Sequence, residues 1–176
     1  MAEKIIAKRR IKEGYIGDPI TSEAGLGTAQ FKTKLPLTLR DDELAFSQDD
    51  PDVEEIFVHE MDSPLHTDYN FKPIVLTGTF LGLTDEQKKL LLGGEVKSGK
   101  YLHPSKVNVL NKSLKFIDHD GNYIICTNVT GFVKYEQGLG KDGRQRYPFR
   151  FTCLAGSPDW QVDLVEGKET SSGVAS

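Results

Sequence analysis

Hydrophobic positions in this chain alternate with polar ones more often than they recur at helical spacing, and the alternation is densest in the second half. Residues 106–110 and 113–117 alternate, and 123–127 answers them after the turn pair Asp120-Gly121. A further pair, 129–136 and 146–154, flanks the polar, glycine-rich loop 137–145. In that pair Phe132, Val133 and Tyr135 are expected opposite Tyr147, Phe149 and Phe151, an aromatic cross-strand contact. Upstream, 31–39 sets Phe31, Thr33, Leu35, Leu37 and Leu39 against Lys32, Lys34 and Thr38, with Pro36 as an interruption that suits a strand near a sheet edge. Residues 53–61 place Val53, Ile56 and Val58 among carboxylates, and 71–81 is apolar on both alternations, as in a strand covered on both sides.

One segment departs from the pattern. Thr84 stands three residues before Gln87, with Asp85 and Glu86 between them, the arrangement of a capping box at a helix N-terminus. Leu90, Leu91 and Leu92 give the following turns an apolar side, and Gly93 supplies a stop. The spacing predicts a helix over 85–92, too short to persist without a sheet to pack on.

These elements predict a mainly β fold: an antiparallel β-barrel or sandwich with one short flanking α-helix. Residues 1–30 mix charge with Gly14, Gly17, Pro19, Gly25 and Gly27 and have no sustained periodicity, which reads as a flexible N-terminal arm not needed for folding. The domain proper is expected over 31–156, and 157–176 reads as a largely disordered C-terminal tail. The arm and the 137–145 loop are expected to order on contact with other subunits. Lys141, Arg144 and Arg146 make that loop cationic and are the candidate intersubunit residues.

Composition narrows the function classes. The 176 residues, 38% hydrophobic and 27% charged, fit one globular domain. A net charge of −4 argues against a general nucleic-acid binder, although Lys4, Lys8, Arg9, Arg10 and Lys12 gather near the start. Residues 1–10 lack the apolar run of a signal peptide, and no later stretch approaches the roughly 20 apolar residues of a membrane span, so a cytoplasmic protein without membrane contact is expected. Cys126 and Cys153 sit among apolar residues of separate strand candidates, where free thiols behave as small hydrophobes and a reducing compartment disfavours a disulfide.

Charge is most unevenly placed over 41–71, which holds eleven Asp and Glu residues and no Lys or Arg. A patch of one sign repels itself, so it has a use in solvation, partner contact or keeping nucleic acid off. Competing chemistry is weak. Gly138-Leu139-Gly140-Lys141-Asp142-Gly143 matches a dinucleotide fingerprint by letter, but a strand candidate follows it where that site needs a helix. Asp118-His119-Asp120-Gly121-Asn122 resembles the start of a calcium loop, yet Val129 stands where the bidentate carboxylate belongs. His59, His66, His103 and His119 are scattered and lack paired metal-ligand spacing. No serine elbow is present, and Cys126 has no local base. No catalytic, metal or cofactor residue is assigned.

Three quoted stretches, taken in order, carry a resemblance: the acidic DVEEIFVHEMDSPLHTD of 52–68, the strand FKPIVLTGTFLGL of 71–83 and the helix-to-glycine TDEQKKLLLGGEV of 84–96. With the strand at 31–39, this order resembles the major tail tube proteins of long-tailed bacteriophages and their prophage and secretion-tube relatives. Glu60, Asp62, Ser63 and Pro64 occupy the turn that leads into the sheet strand in that family. The acidic stretch is longer than the family pattern, and 2–30 has no counterpart in it. The resemblance implies a structural protein of the virion tail, made in the host cytoplasm, that self-assembles as hexameric rings stacking into a tube. Its partners would be its own copies and other tail proteins, and DNA would pass through an acidic lumen unbound. Asp49, Asp50, Asp52, Glu54 and Glu55 are the candidate lumen or ring-contact residues. The competing readings are a tube component of a contractile secretion system, a carbohydrate- or lipid-binding β-sandwich using Tyr69, Phe71, Tyr101, Tyr135 and Trp160 as a platform, and a hydrolase built on paired carboxylates.

Overall fold

Strand pairing in the computed structural model, which describes residues 9–141 and 143–169, is antiparallel throughout and makes the protein mainly β. The spine is β10 (Asn122–Val133), twelve residues long. Along one side it pairs with β9 (Leu110–Asp118); along the other its first half pairs with β13 (Leu164–Lys168) and its second half with β12 (Gln145–Leu154). The sheet extends past β9 to β1 (Ile11–Gly17) and β2 (Thr33–Lys34), and past β12 to β6 (Ile74–Leu81) and β3 (Ala45–Gln48), with the short β11 (Glu136–Gln137) on β12. Residues 33–39 link its two edges: Leu35 donates its N–H to the Gly14 carbonyl of β1, and Leu39 donates to Thr79 of β6. The sheet therefore curls into a sandwich-like shape without closing as a barrel.

The core lies inside this curl. Tyr147, Phe149, Phe151 and Cys153 alternate inward along β12, facing Leu76 and Phe80 of β6, Leu114 and Phe116 of β9 and Val129 and Val133 of β10. Phe80 and Phe149 stack with ring centroids 4.3 Å apart. Gly78 permits this, because a Cβ there would stand 2.7 Å from Phe149 Cζ. The expected aromatic pairing is present in part: Tyr135 is edge-on to Tyr147 at 5.9 Å and Val133 lies directly across from Phe149, but Phe132 stands opposite Arg150 and Phe151 opposite Gly131.

Helix α2 (Asp85–Leu92) has the predicted bounds. Thr84 Oγ1 accepts from the Gln87 N–H at 3.3 Å while Gln87 Oε1 accepts from the Thr84 N–H at 3.0 Å. Its Leu91 and Leu92 are buried in the common core, and the Tyr101 hydroxyl donates to the Gly93 carbonyl at 2.7 Å, tying the helix end to the hairpin of β7 (Glu95–Lys97) and β8 (Lys100–Leu102).

Several expectations are corrected. The segment read as a flexible arm contains β1, whose Ile16 is buried against β9, and it continues to the buried Ile20, whose N–H is bonded to the Thr127 carbonyl. It also contains a six-residue helix, α1 (Glu23–Thr28), capped by Ser22. Glycines and charges hide the strand because its buried positions include Gly14, which closes against Phe116 and Leu35. The tail read as disordered from 157 contains β13, held on β10 by a ladder from Asn122↔Lys168 to Cys126↔Leu164. Lys4, Lys8 and residues 170–176 lie outside the described residues. The 31–39 strand reduces to Thr33–Lys34 plus the bridge Thr38↔Phe80, since Pro36 cannot donate to a ladder. Residues 106–109 are not strand, and the two strands expected over 123–127 and 129–136 are one continuous strand that ends at Val133, with Glu136 in the separate β11.

Candidate functional site

The acidic stretch forms a separate two-stranded sheet, β4 (Asp52–Ile56) with β5 (His66–Asn70), which among the described residues pairs only with itself. Strand was expected over 53–61; it ends at Ile56, and 57–65 is the connection, with the Leu65 N–H bonded to the Ile56 carbonyl and the Met61 N–H to the Val58 carbonyl. All five residues of β4 are exposed, as are four of the five in β5. A lone hairpin of this kind is marginal in water without cover.

Register sorts the hairpin into two faces. Partners across an antiparallel ladder share a side, so Val53 with Tyr69 and Glu55 with Thr67 stand on one face. Asp52 with Asn70, Glu54 with Asp68 and Ile56 with His66 stand on the other. Phe71 stacks on Tyr69 at 6.4 Å and extends the first face at its base. Phe57 and Leu65 stand at the distal end, beside Ile56 and Met61. Exposure of these apolar residues runs from 45% at Met61 to 77% at Phe71. Contiguous exposed apolar residues rimmed by charge mark an interaction surface.

The candidate carboxylates do not act alike. Asp49 and Asp50 lie exposed in the link between β3 and β4, while Asp52, Glu54 and Glu55 lie on β4. Asp52 is paired with Lys72, just beyond the stretch, and Asp68 with His66 at 2.8 Å. Among the described residues, Asp49, Asp50, Glu54 and Glu55 make no ion pair.

The cationic loop does not stand free of the acidic stretch. Arg144 reaches Asp41 at 3.4 Å and Arg146 pairs with Asp42; Lys141 is exposed. The Thr79 hydroxyl and then the Arg146 guanidinium hold the Asp42 carboxyl below the usual carboxylate range. The loop is a hairpin tip between β11 and β12, with the Gly138 N–H bonded to the Arg144 carbonyl, so the glycine fingerprint has no helix behind it.

Other candidate chemistry is absorbed by structure. Asp118 Oδ1 accepts from the backbone N–H groups of Asp120 and Asn122, both at 2.9 Å, so its carboxylate serves the Asp120-Gly121 turn. Among the described residues no group of three or more His, Cys, Asp or Glu converges as metal ligands. Cys126 and Cys153 are both free and buried; contact with Cys153, then burial, pushes the Cys126 thiol well above its ordinary range. The five residues of the supposed aromatic platform fall on three parts of the fold: Tyr69 and Phe71 on the hairpin, Tyr101 and Tyr135 on either side of His103, and Trp160 in the Ser157↔Trp160 bridge. Among the described residues, no helix is long and apolar enough to cross a membrane.

A feature invisible in the sequence is a cleft of about 920 Å³ between β1, the 33–39 segment and the approach to β3. Leu37, Leu44, Phe46 and Phe116 form apolar walls, and Arg10, Lys12 and Arg40 stand among its charged lining. A scan against profiles of known protein families finds no match to this chain, and a search of curated protein sequences finds none either.

Proposed function

We propose that this chain is a structural subunit of a bacteriophage tail tube, assembling with its own copies into stacked hexameric rings around a DNA-conducting channel. The observation that carries this reading is the β4–β5 hairpin, a two-faced arm with Val53, Tyr69 and Phe71 on one side and a largely acidic other side, exposed among the described residues. A monomer gains nothing from such an arm, whereas a repeating assembly covers it. Two distinct patches on each copy, donor and acceptor, make a heterologous contact, which closes as a ring or propagates as a stack. Asp49, Asp50, Glu54 and Glu55, without an ion pair among the described residues, supply negative charge that repels DNA from a lumen wall or orients ring against ring. Other tail proteins would join at the tube ends, and no catalytic step, cofactor or membrane contact is part of the role. A tube component of a contractile secretion system needs the same assembly and differs only in cargo.

A ligand-binding β-sandwich is the second reading, supported by the apolar walls of the cleft. Size-exclusion chromatography and negative-stain microscopy of the pure protein separate the two. Rings or tubes are the expected outcome; a monomer at every concentration, binding a small amphiphile, would favour the second reading.

A further inference from the structure

The hairpin and the cleft have complementary chemistry. The distal end of the hairpin presents Ile56, Phe57, Met61 and Leu65, each at least 45% exposed, amid Glu54, Glu55, Glu60, Asp62 and Asp68. The cleft presents apolar walls and a charged lining of both signs, in which Glu13 and Asp42 are paired with Lys34 and Arg146 and Asp118 serves its own turn. Of the remaining charges, Arg10, Lys12 and Arg40 make no ion pair among the described residues, against one such carboxylate, Glu43, so the free charge is positive on balance. Leu37, one of those walls, is 78% exposed among the described residues. No residue of the hairpin lines the cleft of its own chain.

We propose that the distal end of one copy's hairpin seats in the cleft of a second copy, with its apolar side chains against Leu37, Leu44, Phe46 and Phe116 and its carboxylates against Arg10, Lys12 and Arg40. Resting on the self-assembly reading above, this specifies which surface receives the arm. Apolar contact supplies the burial, and opposite charges select the orientation and disfavour wrong pairings. Because donor and acceptor are different patches, each copy gives one arm and takes one, and the contact propagates in one direction.

The test uses the full chain in sedimentation velocity at low salt. Three preparations are compared: native protein, a cleft variant (Arg10→Glu, Lys12→Glu, Arg40→Glu) and an arm variant (Phe57→Ser, Leu65→Ser). Native protein is expected to assemble. Each variant alone should keep the native melting curve and associate at least about a hundredfold more weakly, the cleft variant through like-charge juxtaposition and the arm variant through lost apolar burial. An equimolar mixture should recover a one-to-one complex and stop there, since each mixed pair retains one intact arm and one intact cleft.

A cleft variant that assembles like native protein would overturn the proposal while leaving the tube reading intact. A native chain that stays monomeric would overturn both. Loss of assembly in both variants without a complex in the mixture would also overturn it, because the cleft charges would then act on some other contact. Leu37→Glu serves as a second cleft variant in case the triple charge reversal impairs folding. Laurate protecting the native chain against thermal unfolding, with assembly unchanged, would make the cleft a ligand site and overturn the proposal as well.

Discussion

Val53 stands directly across from Tyr69 in the β4–β5 ladder, and both are more than half exposed, at 52% and 57%. Cross-strand pairs of a β-branched and an aromatic residue usually stabilise a sheet whose other side is a core. Here the other side carries Asp52, Glu54 and Asp68, so the pair faces outward with no core behind it. Replacing both residues by Ser should leave global stability within about 0.5 kcal/mol, as for surface positions. The same change should weaken self-association. Thermal unfolding and a concentration series in size-exclusion chromatography check the two halves of this expectation.

The helix offers a calibration of the core. Thr84→Ala removes one partner of the capping box and should cost about 1 kcal/mol, whereas Leu91→Ala empties a site with no exposed surface and should cost roughly 2–5 kcal/mol. Urea unfolding of both variants should rank them in that order with unchanged m-values.

β1 should prove indispensable. Ile16→Ala should cost roughly 2–5 kcal/mol, as a buried aliphatic truncation does. Removing residues 11–17 strips β9 of one of its two antiparallel partners and should abolish cooperative unfolding in circular dichroism. A deletion variant that unfolds like the full chain would show that the strand adds nothing to the core.

Acid stability should trace in part to Asp118. Burial alone would raise its pKa, but hydrogen bonds from the Asn122 side chain and from the Asn122 and Asp120 backbone N–H groups outweigh it and leave the carboxyl below its ordinary value. A lowered folded-state pKa stabilises the fold above the unfolded value of about 3.9, and this contribution is lost as pH falls through the folded value. Denaturant midpoints should therefore fall below about pH 4 in the native chain. Asp118→Asn should start lower at neutral pH and show a flatter acid limb.

Neutralising Asp49, Asp50, Asp52, Glu54 and Glu55 to Asn or Gln should preserve the melting curve and change assembly, more at low salt, where screening is weakest. Sizing at two ionic strengths reads this, and calorimetry with calcium, magnesium and zinc runs alongside. Tight stoichiometric metal binding lost on neutralisation, with assembly unchanged, would reassign these carboxylates to a metal site.

What could be read in the chain was what neighbours in sequence decide. Thr84 and Gln87 cap each other across three residues, and Asp120-Gly121 turns β9 into β10 with Gly121 at φ 82°, so both were legible. β1 was not, because its ladder partner lies about a hundred residues away and its alternation runs through Gly14 and Gly17. β13 is five residues carrying Glu166 and Gly167, and only its place on β10 makes it a strand. The acidic charge of the hairpin was plain from composition, but its division into two faces depends on the register of Val53 with Tyr69. The cleft depends on three segments converging and leaves no local signature.

The most direct measurement on the self-assembly account is sedimentation velocity of the native chain beside one in which residues 51–72 are replaced by a short Gly-Ser link. The native chain should form rings or longer stacks, and the shortened chain should keep its core, melt cooperatively and stay monomeric. Equal assembly of both chains, or a native chain that is monomeric at every concentration, would contradict it.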